Sequence, residues 1–174
     1  NTQFERSNKT TNEWYTPPEI IRSMGEFDLD PCSSTIAYEL NHSAKKFYTK
    51  EDDGLSKEWF GRIWLNPPYD QPLISHFVKK MAQHNNGVAL LYNRCDNKLF
   101  QNVVFPTMDS IFFIHGRIRF YRPNGVIGGS PGCGSILVAW GKENTKSIKN
   151  SRLKGTILKP IYRQAIQSQI TLSI

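Results

Sequence analysis

The tetrapeptide Asn66-Pro67-Pro68-Tyr69 combines an amide, a rigid backbone and an aromatic ring. The Asn66 side-chain oxygen and the Pro67 carbonyl are acceptors, and the prolines fix the local dihedral angles and so aim that carbonyl. Acceptors aimed at both N–H groups of a conjugated amine favour a pyramidal, nucleophilic nitrogen, and Tyr69 can stack on the attached ring. These four residues are therefore candidate catalytic residues for methylation of an exocyclic amine such as N6 of adenine. An ordinary turn is the alternative.

The tetrapeptide leaves more than one substrate open. The side-chain amide of protein glutamine presents the same kind of planar nitrogen as adenine, so protein glutamine and RNA are the nearest alternative substrates to DNA. A catalytically silent DNA-binding protein with the same fold is an alternative from a different class, and cofactor binding would distinguish it. The tetrapeptide indicates the chemistry more strongly than the substrate.

Alternating short strands and helices must position these residues. Two prolines prevent a central strand from continuing past Asn66, so the tetrapeptide follows the end of a strand. Thr16 is a candidate helix N-cap before Pro17, and Pro72 sits where the start of a helix tolerates proline. The patterns predict helices over residues 17–24, 73–81 and 98–104 and strands over 27–30, 62–65, 87–92, 110–114, 117–120 and 135–140. This alternation predicts an α/β fold whose mixed sheet finishes with antiparallel strands.

Four sequence blocks have an order and spacing typical of one enzyme family. They are WYTPP at residues 14–18, DLDPCS at 28–33, WLNPPY at 64–69, and GRIRF at 116–120 leading to SPGCGS at 130–135. Through these blocks, residues 13 to about 141 resemble the phage-type, Dam-like DNA N6-adenine methyltransferases. The resemblance implies a Rossmann-like methyltransferase fold, S-adenosylmethionine as the cofactor and adenine in double-stranded DNA as the target.

The resemblance also implies cofactor contacts. The first block matches the segment that meets the methionine part of the cofactor, where the start of a helix suits an anionic carboxylate. The second block occupies the place of a glycine-rich cofactor loop but lacks the FxGxG glycines, so Asp30 and its small neighbours must form the turn. Asp30 is available for the cofactor ammonium or a bridging water. The implied cofactor-binding residues are Trp14, Tyr15, Thr16, Pro17, Asp30, Pro31, Cys32, Ser33 and Asn66.

An acidic residue that holds the cofactor ribose is expected beyond a strand end, as in other open α/β sheets that bind nucleosides. Glu39, Asp52 and Asp53 are the candidates. Each is also compatible with an ordinary surface charge. Asp53 ranks first, because it precedes Gly54-Leu55, where the resemblance places contacts to the cofactor adenine.

Three arginines are interleaved with aromatic residues late in the chain. Arg117, Arg119 and Arg122 flank Phe120 and Tyr121. On a strand, Arg117 and Arg119 would share one face, which suits binding of DNA phosphates while the rings stack on bases. A solvated strand face with salt bridges is the alternative. Residues 121–134 follow with five glycines and two prolines, a length and composition that suit a functional loop.

Positive charge is concentrated near the end of the sequence. The 174 residues carry a net charge of +7, and residues 142–174 hold seven basic and one acidic residue, which leaves the rest nearly neutral. A basic appendage suits binding of nucleic-acid phosphates, and a solvated tail is the alternative. The expected division is a polar N-terminal arm over 1–12, a methyltransferase catalytic domain over 13–141 and a basic C-terminal extension over 142–174.

Several classes of protein are disfavoured by the remaining composition. No apolar run approaches the roughly 20 residues of a membrane helix and no secretory pattern follows Asn1, so a cytoplasmic location is expected. Cys32, Cys95 and Cys133 are odd in number and widely spaced, which argues against a disulfide framework and predicts reduced packing residues. The four histidines show no ligand spacing, so no metal is expected. The oligomeric state stays open.

Overall fold

One mixed sheet organises the structure, a computed structural model that describes residues 14–122, 124–128 and 131–161. The described strands are β1 (Leu29–Asp30), β2 (Lys46–Phe47), β3 (Ile63–Leu65), β4 (Gly87–Tyr92), β5 (Ser110–Ile114), β6 (Ser135–Trp140) and β7 (Gly155–Leu158). Their order across the sheet is β2-β1-β3-β4-β6-β5-β7. The arm predicted over residues 1–12 and the last part of the predicted extension, from residue 162, lie outside the described residues.

Parallel and antiparallel pairing divide the sheet into two halves. Strands β2, β1, β3 and β4 run parallel to one another. Strand β6 runs antiparallel between β4 and β5, and β7 adds a further antiparallel strand at the edge beside β5. The prediction of an α/β fold whose mixed sheet finishes with antiparallel strands is confirmed.

Helices connect the strands. They are α1 (Pro18–Arg22), α2 (Thr35–Asn41), α3 (Leu73–His84), a π-helical segment (Phe100–Val104) that continues as α4 (Phe105–Thr107), and α5 (Lys142–Asn150). Helix α2 starts after Ser34, whose hydroxyl accepts a hydrogen bond from the Ala37 N–H at 3.1 Å and so caps the helix. Pro72 precedes α3, as predicted.

Two apolar clusters, one on each face of the sheet, hold the layers together. Successive residues of a strand point to opposite faces, so Ile63 and Leu65 join one cluster while Trp64 joins the other. The first cluster includes Met81 of α3, and the second includes Ile148 of α5. Strand β3 is therefore buried on both faces, as strands in the middle of an α/β sheet are.

Most predicted elements are present, although some of their ends are shifted. The strands predicted over 87–92, 110–114 and 135–140 have those bounds, whereas the strands predicted over 27–30 and 62–65 are shorter. The helix predicted over 73–81 runs on to His84, and the helical segment predicted over 98–104 continues through Pro106 as a π-helical turn followed by α4. Periodic apolar segments are therefore placed correctly, and their boundaries are less accurate.

Two local predictions are wrong. Residues 117–120 are not a strand, and pairing resumes only at Tyr121, which bridges to Tyr15 and Ile127. Helix α1 begins at Pro18 with Pro17 as its N-cap residue and no capping side chain, so Thr16 is not the cap. Elements α2, β2, α5 and β7 were not predicted, because they are either very short or largely polar and give little apolar periodicity.

Helix α5 and strand β7 lie within the predicted C-terminal extension. Ile148 of α5 is buried in the second apolar cluster, and β7 pairs with β5 from Ile111 to Ile114. Residues 142–158 thus pack a helix against the sheet and add an edge strand to it. The division of the chain into domains stays a prediction. None of the described helices is long and apolar enough to cross a membrane.

Candidate active site

The crevice outside β1 and β3 is the topological switch point of the sheet. The chain passes from β1 to β2 on one side of β1 and then returns to β3 on its other side. Ligands of open α/β sheets bind outside the carboxyl ends of the strands at such a point. Asp30 ends β1 and Asn66 directly follows β3, so both residues lie at this edge.

Asn66 has one end of its amide held and the other end unpaired. Its Nδ2 donates to the Trp14 carbonyl oxygen at 3.4 Å and to the Thr16 hydroxyl at 3.3 Å. A carbonyl can only accept, so the Trp14 contact determines which end of the amide faces it. The Asn66 Oδ1 is buried and has no hydrogen-bond partner among the described residues. Such an acceptor costs about 1–3 kcal/mol, and a ligand N–H that reached it would remove that cost.

The first block lies between the other three. Thr16 is buried, and its hydroxyl accepts from Asn66 in the third block. The Ser34 hydroxyl, one residue past the second block, donates to the Tyr15 hydroxyl at 3.4 Å. Tyr15 and Tyr121 exchange two backbone hydrogen bonds of 2.9 Å, which connect the first block to the residue after GRIRF. The structure therefore brings segments of all four blocks together.

The second block turns around a buried carboxylate. The Asp30 Oδ1 accepts from the Cys32 N–H at 3.2 Å, and its Oδ2 accepts from the Ser43 hydroxyl at 2.6 Å. Burial raises the pKa of Asp30 to about 6, because lost hydration outweighs the hydrogen bonds from Ser43, Cys32 and Ser33. Both carboxylate oxygens are used inside the protein. Asp30 thus shapes the turn that stands in place of a glycine-rich loop.

Cys32 connects the second block to the third. Its thiol donates to the Asn66 carbonyl oxygen at 3.3 Å, and burial raises the pKa of this thiol well above its usual value. Cys32, Cys95 and Cys133 are all free and partly buried. Over the described ranges, no group of three or more His, Cys, Asp or Glu residues is placed to hold a metal ion.

The three acidic candidates for the ribose differ in their surroundings. Asp53 is exposed and precedes Gly54, whose backbone packs so closely on Pro31 that a Cβ there would lie 1.9 Å from the Pro31 carbonyl oxygen. Asp53 therefore borders the second block. Asp52 instead accepts two hydrogen bonds, of 2.8 and 3.0 Å, from the residue three positions before it. Glu39 is exposed on α2.

Tyr69 lies against the end of β4. Its hydroxyl donates to the Leu90 carbonyl oxygen at 3.1 Å, and its ring stacks on Tyr92 with the centroids 3.8 Å apart and the planes inclined by 16°. Burial raises the pKa of the Tyr69 hydroxyl well above its usual value. One face of the Tyr69 ring is covered by Tyr92.

The three arginines are exposed, and residues 117–120 do not form the predicted strand. Arg117 and Arg119 alternate with buried apolar residues, so the predicted separation of charged and apolar sides is present without strand pairing. The Arg117 Nη1 donates to the Pro131 carbonyl oxygen at 2.5 Å. Arg122 is exposed just after the Tyr121 bridge to the first block.

Sequence reasoning missed three residues at this edge. The Asn41 Nδ2 donates to the Thr16 carbonyl oxygen at 3.4 Å, and its buried Oδ1 has no partner within the described part of the chain. Ser43 holds Asp30, and Tyr92 stacks on Tyr69. No sequence pattern marks Asn41 or Ser43. Tyr92 carries a usable signal, because it ends a predicted buried strand and strand ends carry ligand sites in α/β sheets.

Comparison with known proteins gives one family and two curated relatives. A family model described as DNA N-6-adenine-methyltransferase (Dam) matches residues 3–166. A DNA N-6-adenine-methyltransferase of Escherichia phage T1 is 41% identical over 88 residues, which cover 45% of this chain and 34% of the relative. One of Haemophilus phage HP1 (strain HP1c1) is 34% identical over 99 residues, which cover 55% of each protein. The chain thus spans about a third and about half of these relatives, and no solved structure matches it.

Proposed function

The chain belongs to the DNA N-6-adenine-methyltransferase (Dam) family, and on that premise we propose that it transfers a methyl group from S-adenosylmethionine to N6 of adenine in double-stranded DNA. The observation that carries the proposal is the amide of Asn66. It follows β3 at the switch point, its Nδ2 is held by the first block, and its Oδ1 is an acceptor with no partner among the residues that the structure describes. Both curated relatives carry the name of this activity.

The strand order supports the Rossmann-like methyltransferase fold that the resemblance implies. The parallel half of the sheet has crossovers in both directions from β1, which creates a crevice for a nucleoside-containing cofactor. The cofactor would lie in this crevice, outside the carboxyl ends of β1 and β3. Asp53 would hold its ribose from the loop that follows β2.

The buried polar atoms beside Thr16 fit ligands that bring N–H donors. Asn41 and Asn66 each donate from Nδ2 to Thr16, and neither Oδ1 has a partner in the described ranges, so buried acceptors outnumber donors there. S-adenosylmethionine carries an ammonium group, and the target adenine carries an amine. When bound, the cofactor supplies an activated methyl group on its sulfonium. The residues that would hold it are Trp14, Tyr15, Thr16, Pro17, Asp30, Pro31, Cys32, Ser33, Asp53 and Asn66.

In this proposal Asn66, Pro67, Pro68 and Tyr69 hold the target adenine. The Asn66 Oδ1 and the Pro67 carbonyl accept from the two N–H groups of the amine and favour a pyramidal nitrogen. Pro67 and Pro68 restrict the backbone, so the acceptors are aimed before the base arrives. Tyr69 stacks on the extruded base and recovers about 1–3 kcal/mol of lost stacking. Because the amine is aligned for methyl transfer in a desolvated crevice, the reaction needs no strong base.

The exposed arginines are the proposed contacts to the DNA backbone. Arg117, Arg119 and Arg122 lie on either side of Tyr121, whose bridge to Tyr15 ties this segment to the first block. Phosphates bound by these side chains would lie close to the crevice and would fix the position of the duplex without reading its sequence.

The proposal is tested by identifying the methylated product. The purified protein is incubated with S-adenosylmethionine labelled in its methyl group and with plasmid DNA that lacks adenine methylation, and the DNA is then digested to nucleosides. We expect the label in N6-methyladenine. Parallel reactions contain RNA or a glutamine-containing protein, and binding of S-adenosylhomocysteine is measured by calorimetry. Label only in RNA or protein would contradict DNA as the substrate. Absence of cofactor binding would favour a catalytically silent DNA-binding relative.

A further inference from the structure

Tyr92 covers one face of the ring that the proposed function uses for stacking. The Tyr69 and Tyr92 rings are nearly parallel, 3.8 Å apart between centroids. A ring has two faces, so a base that stacks on Tyr69 in this arrangement can use only the face opposite Tyr92. A base that stacks on Tyr69 would therefore lie on the side of the ring away from Tyr92.

Tyr69 is restrained at three points before any base arrives. Its hydroxyl donates to the Leu90 carbonyl oxygen on β4, and Tyr92, two residues farther along the same strand, covers its ring face. Pro68 restricts the backbone that leads into Tyr69. A ring with a single orientation can align a base without first losing rotational freedom, which is the advantage of a preorganised site.

The position of Tyr92 is itself set by the sheet. Tyr92 ends β4 and lies opposite Ser135 at the start of β6. The N–H of the next residue, Asn93, donates to the Gly134 carbonyl oxygen at 2.8 Å, so pairing continues just past the strand. The antiparallel β4–β6 ladder thus fixes the residue that supports Tyr69.

We propose that Tyr92 is a positioning residue for methyl transfer, whose ring supports Tyr69 from behind and directs the target adenine to the opposite face of Tyr69. This inference rests on the proposed function, because it requires a base that stacks on Tyr69.

Replacement of the Tyr92 ring tests the inference. Tyr92→Leu removes the aromatic support, Tyr92→Phe keeps it, and Tyr92→Met is a second ring-free variant in case the leucine variant does not fold. Tyr38→Leu is the matched control, because Tyr38 stacks on Phe47 at 4.3 Å and takes no part in the proposed site. The readouts are kcat and KM for plasmid DNA, binding of S-adenosylhomocysteine, and thermal unfolding. After the methylated sequence is mapped, a duplex with 2-aminopurine at the target position reports base extrusion.

We expect Tyr92→Leu and Tyr92→Met to lower kcat roughly 3- to 10-fold and to reduce the extruded fraction, since this is the range that a stacked aromatic pair supports. Tyr92→Phe and Tyr38→Leu should keep the wild-type kcat, and cofactor binding should be unchanged throughout. Wild-type kcat in the ring-free variants would overturn the inference. So would an equal loss in Tyr92→Phe, or an increase in base extrusion, which would mean that Tyr92 occupies the place of the base. A wild-type protein that forms no N6-methyladenine would instead overturn the proposed function.

Discussion

The two ends of β3 carry polar side chains whose hydrogen-bonding groups are used in opposite ways. Arg62 precedes the strand, and its guanidinium lies 4.1 Å from the centroid of the Phe27 ring. It donates over 2.6 to 2.9 Å to the Met24 and Glu26 carbonyl oxygens, the Asn144 Oδ1 and the Ser147 hydroxyl. Asn66 follows the strand and has a buried acceptor without a partner in the described part of the chain. A satisfied network stabilises the fold, whereas an unpaired atom at a strand end is available to a ligand.

The largest expected effect is at the Asn66 end. Asn66→Ala removes the proposed acceptor for the adenine amine, so we expect the methylation rate to fall about 100- to 1,000-fold, as for loss of one preorganised polar contact in an active site. Binding of S-adenosylhomocysteine should change much less, because the other proposed cofactor contacts remain. Product analysis and calorimetry measure the two quantities.

Asn86→Ala is the control for that prediction, because Asn86 precedes β4 at the opposite edge of the sheet and pairs with Gly61 and Asn144. It should leave the methylation rate per folded molecule unchanged. An equal loss of methylation and cofactor binding in Asn66→Ala would contradict the assigned role of Asn66.

Replacement of Arg62 tests the satisfied end of the same strand. Arg62→Met leaves several carbonyl and side-chain acceptors without a donor, so we expect the free energy of unfolding to fall by about 2–4 kcal/mol. The methylation rate per folded molecule should stay close to that of the wild type. Urea unfolding measures the stability, and kcat is measured at a temperature where both proteins are folded. A large fall in kcat with unchanged stability would contradict the contrast between the two ends of β3.

Asp30→Asn sharpens the comparison. Both carboxylate oxygens of Asp30 accept hydrogen bonds, but burial of its negative charge still costs free energy. Its folded pKa is raised from 3.8 to about 6, so the folded state binds more protons between these values. Its contribution to stability is therefore fully present below about pH 4 and is lost as pH rises through 6. Asparagine keeps an acceptor for the Cys32 N–H and can donate to the Ser43 hydroxyl.

We therefore expect Asp30→Asn to be more stable than the wild type at pH 8 by about 2–3 kcal/mol and to lack the decline in stability between pH 4 and 6. Urea unfolding as a function of pH measures both effects. A wild-type profile in the variant would show that Asp30 is not the titrating group.

The smallest expected effect lies outside the crevice. Arg119 is exposed, and Arg119→Gln should weaken DNA binding and reduce the slope of log affinity against log salt concentration by about 1, as for loss of one phosphate contact. Arg22→Gln is the matched control, because Arg22 is an exposed arginine on α1 outside the 117–122 segment. Equal slopes for the two variants would remove Arg119 from the proposed interface.

Residue types and spacing were sufficient to place the Asn66 motif. Two prolines end a strand, and the strand end of an α/β sheet is where ligands bind, so the location of Asn66 followed from local chemistry. The unpaired Asn66 Oδ1 could not be predicted, because it depends on Trp14 and Thr16, which are about 50 residues away in the chain. The wrong prediction at Thr16 has the same cause. A local rule made Thr16 the helix N-cap, whereas its hydroxyl accepts a hydrogen bond from Asn66, 50 residues farther along the chain.

Short and irregular elements were the least predictable part of the fold. Strand β2 has two residues, too few to show alternation, although its pairing helps to position the loop that carries Asp53. Residues 117–120 alternate in burial as a strand would, yet none of the described strands pairs with them. Alternation reports which sides are buried, and backbone pairing requires a partner that the local sequence does not specify.

The bridge between Tyr15 and Tyr121 also has a consequence for synthesis of the protein. Residues 14–17 leave the ribosome long before Tyr121 is made, and β6, which closes the sheet beside β4, follows later still. A nascent chain can form local helices early, but the pairings that complete the crevice are far apart in sequence and slow to close. The proposed substrate crevice is therefore completed late, when nearly all of the described chain has emerged.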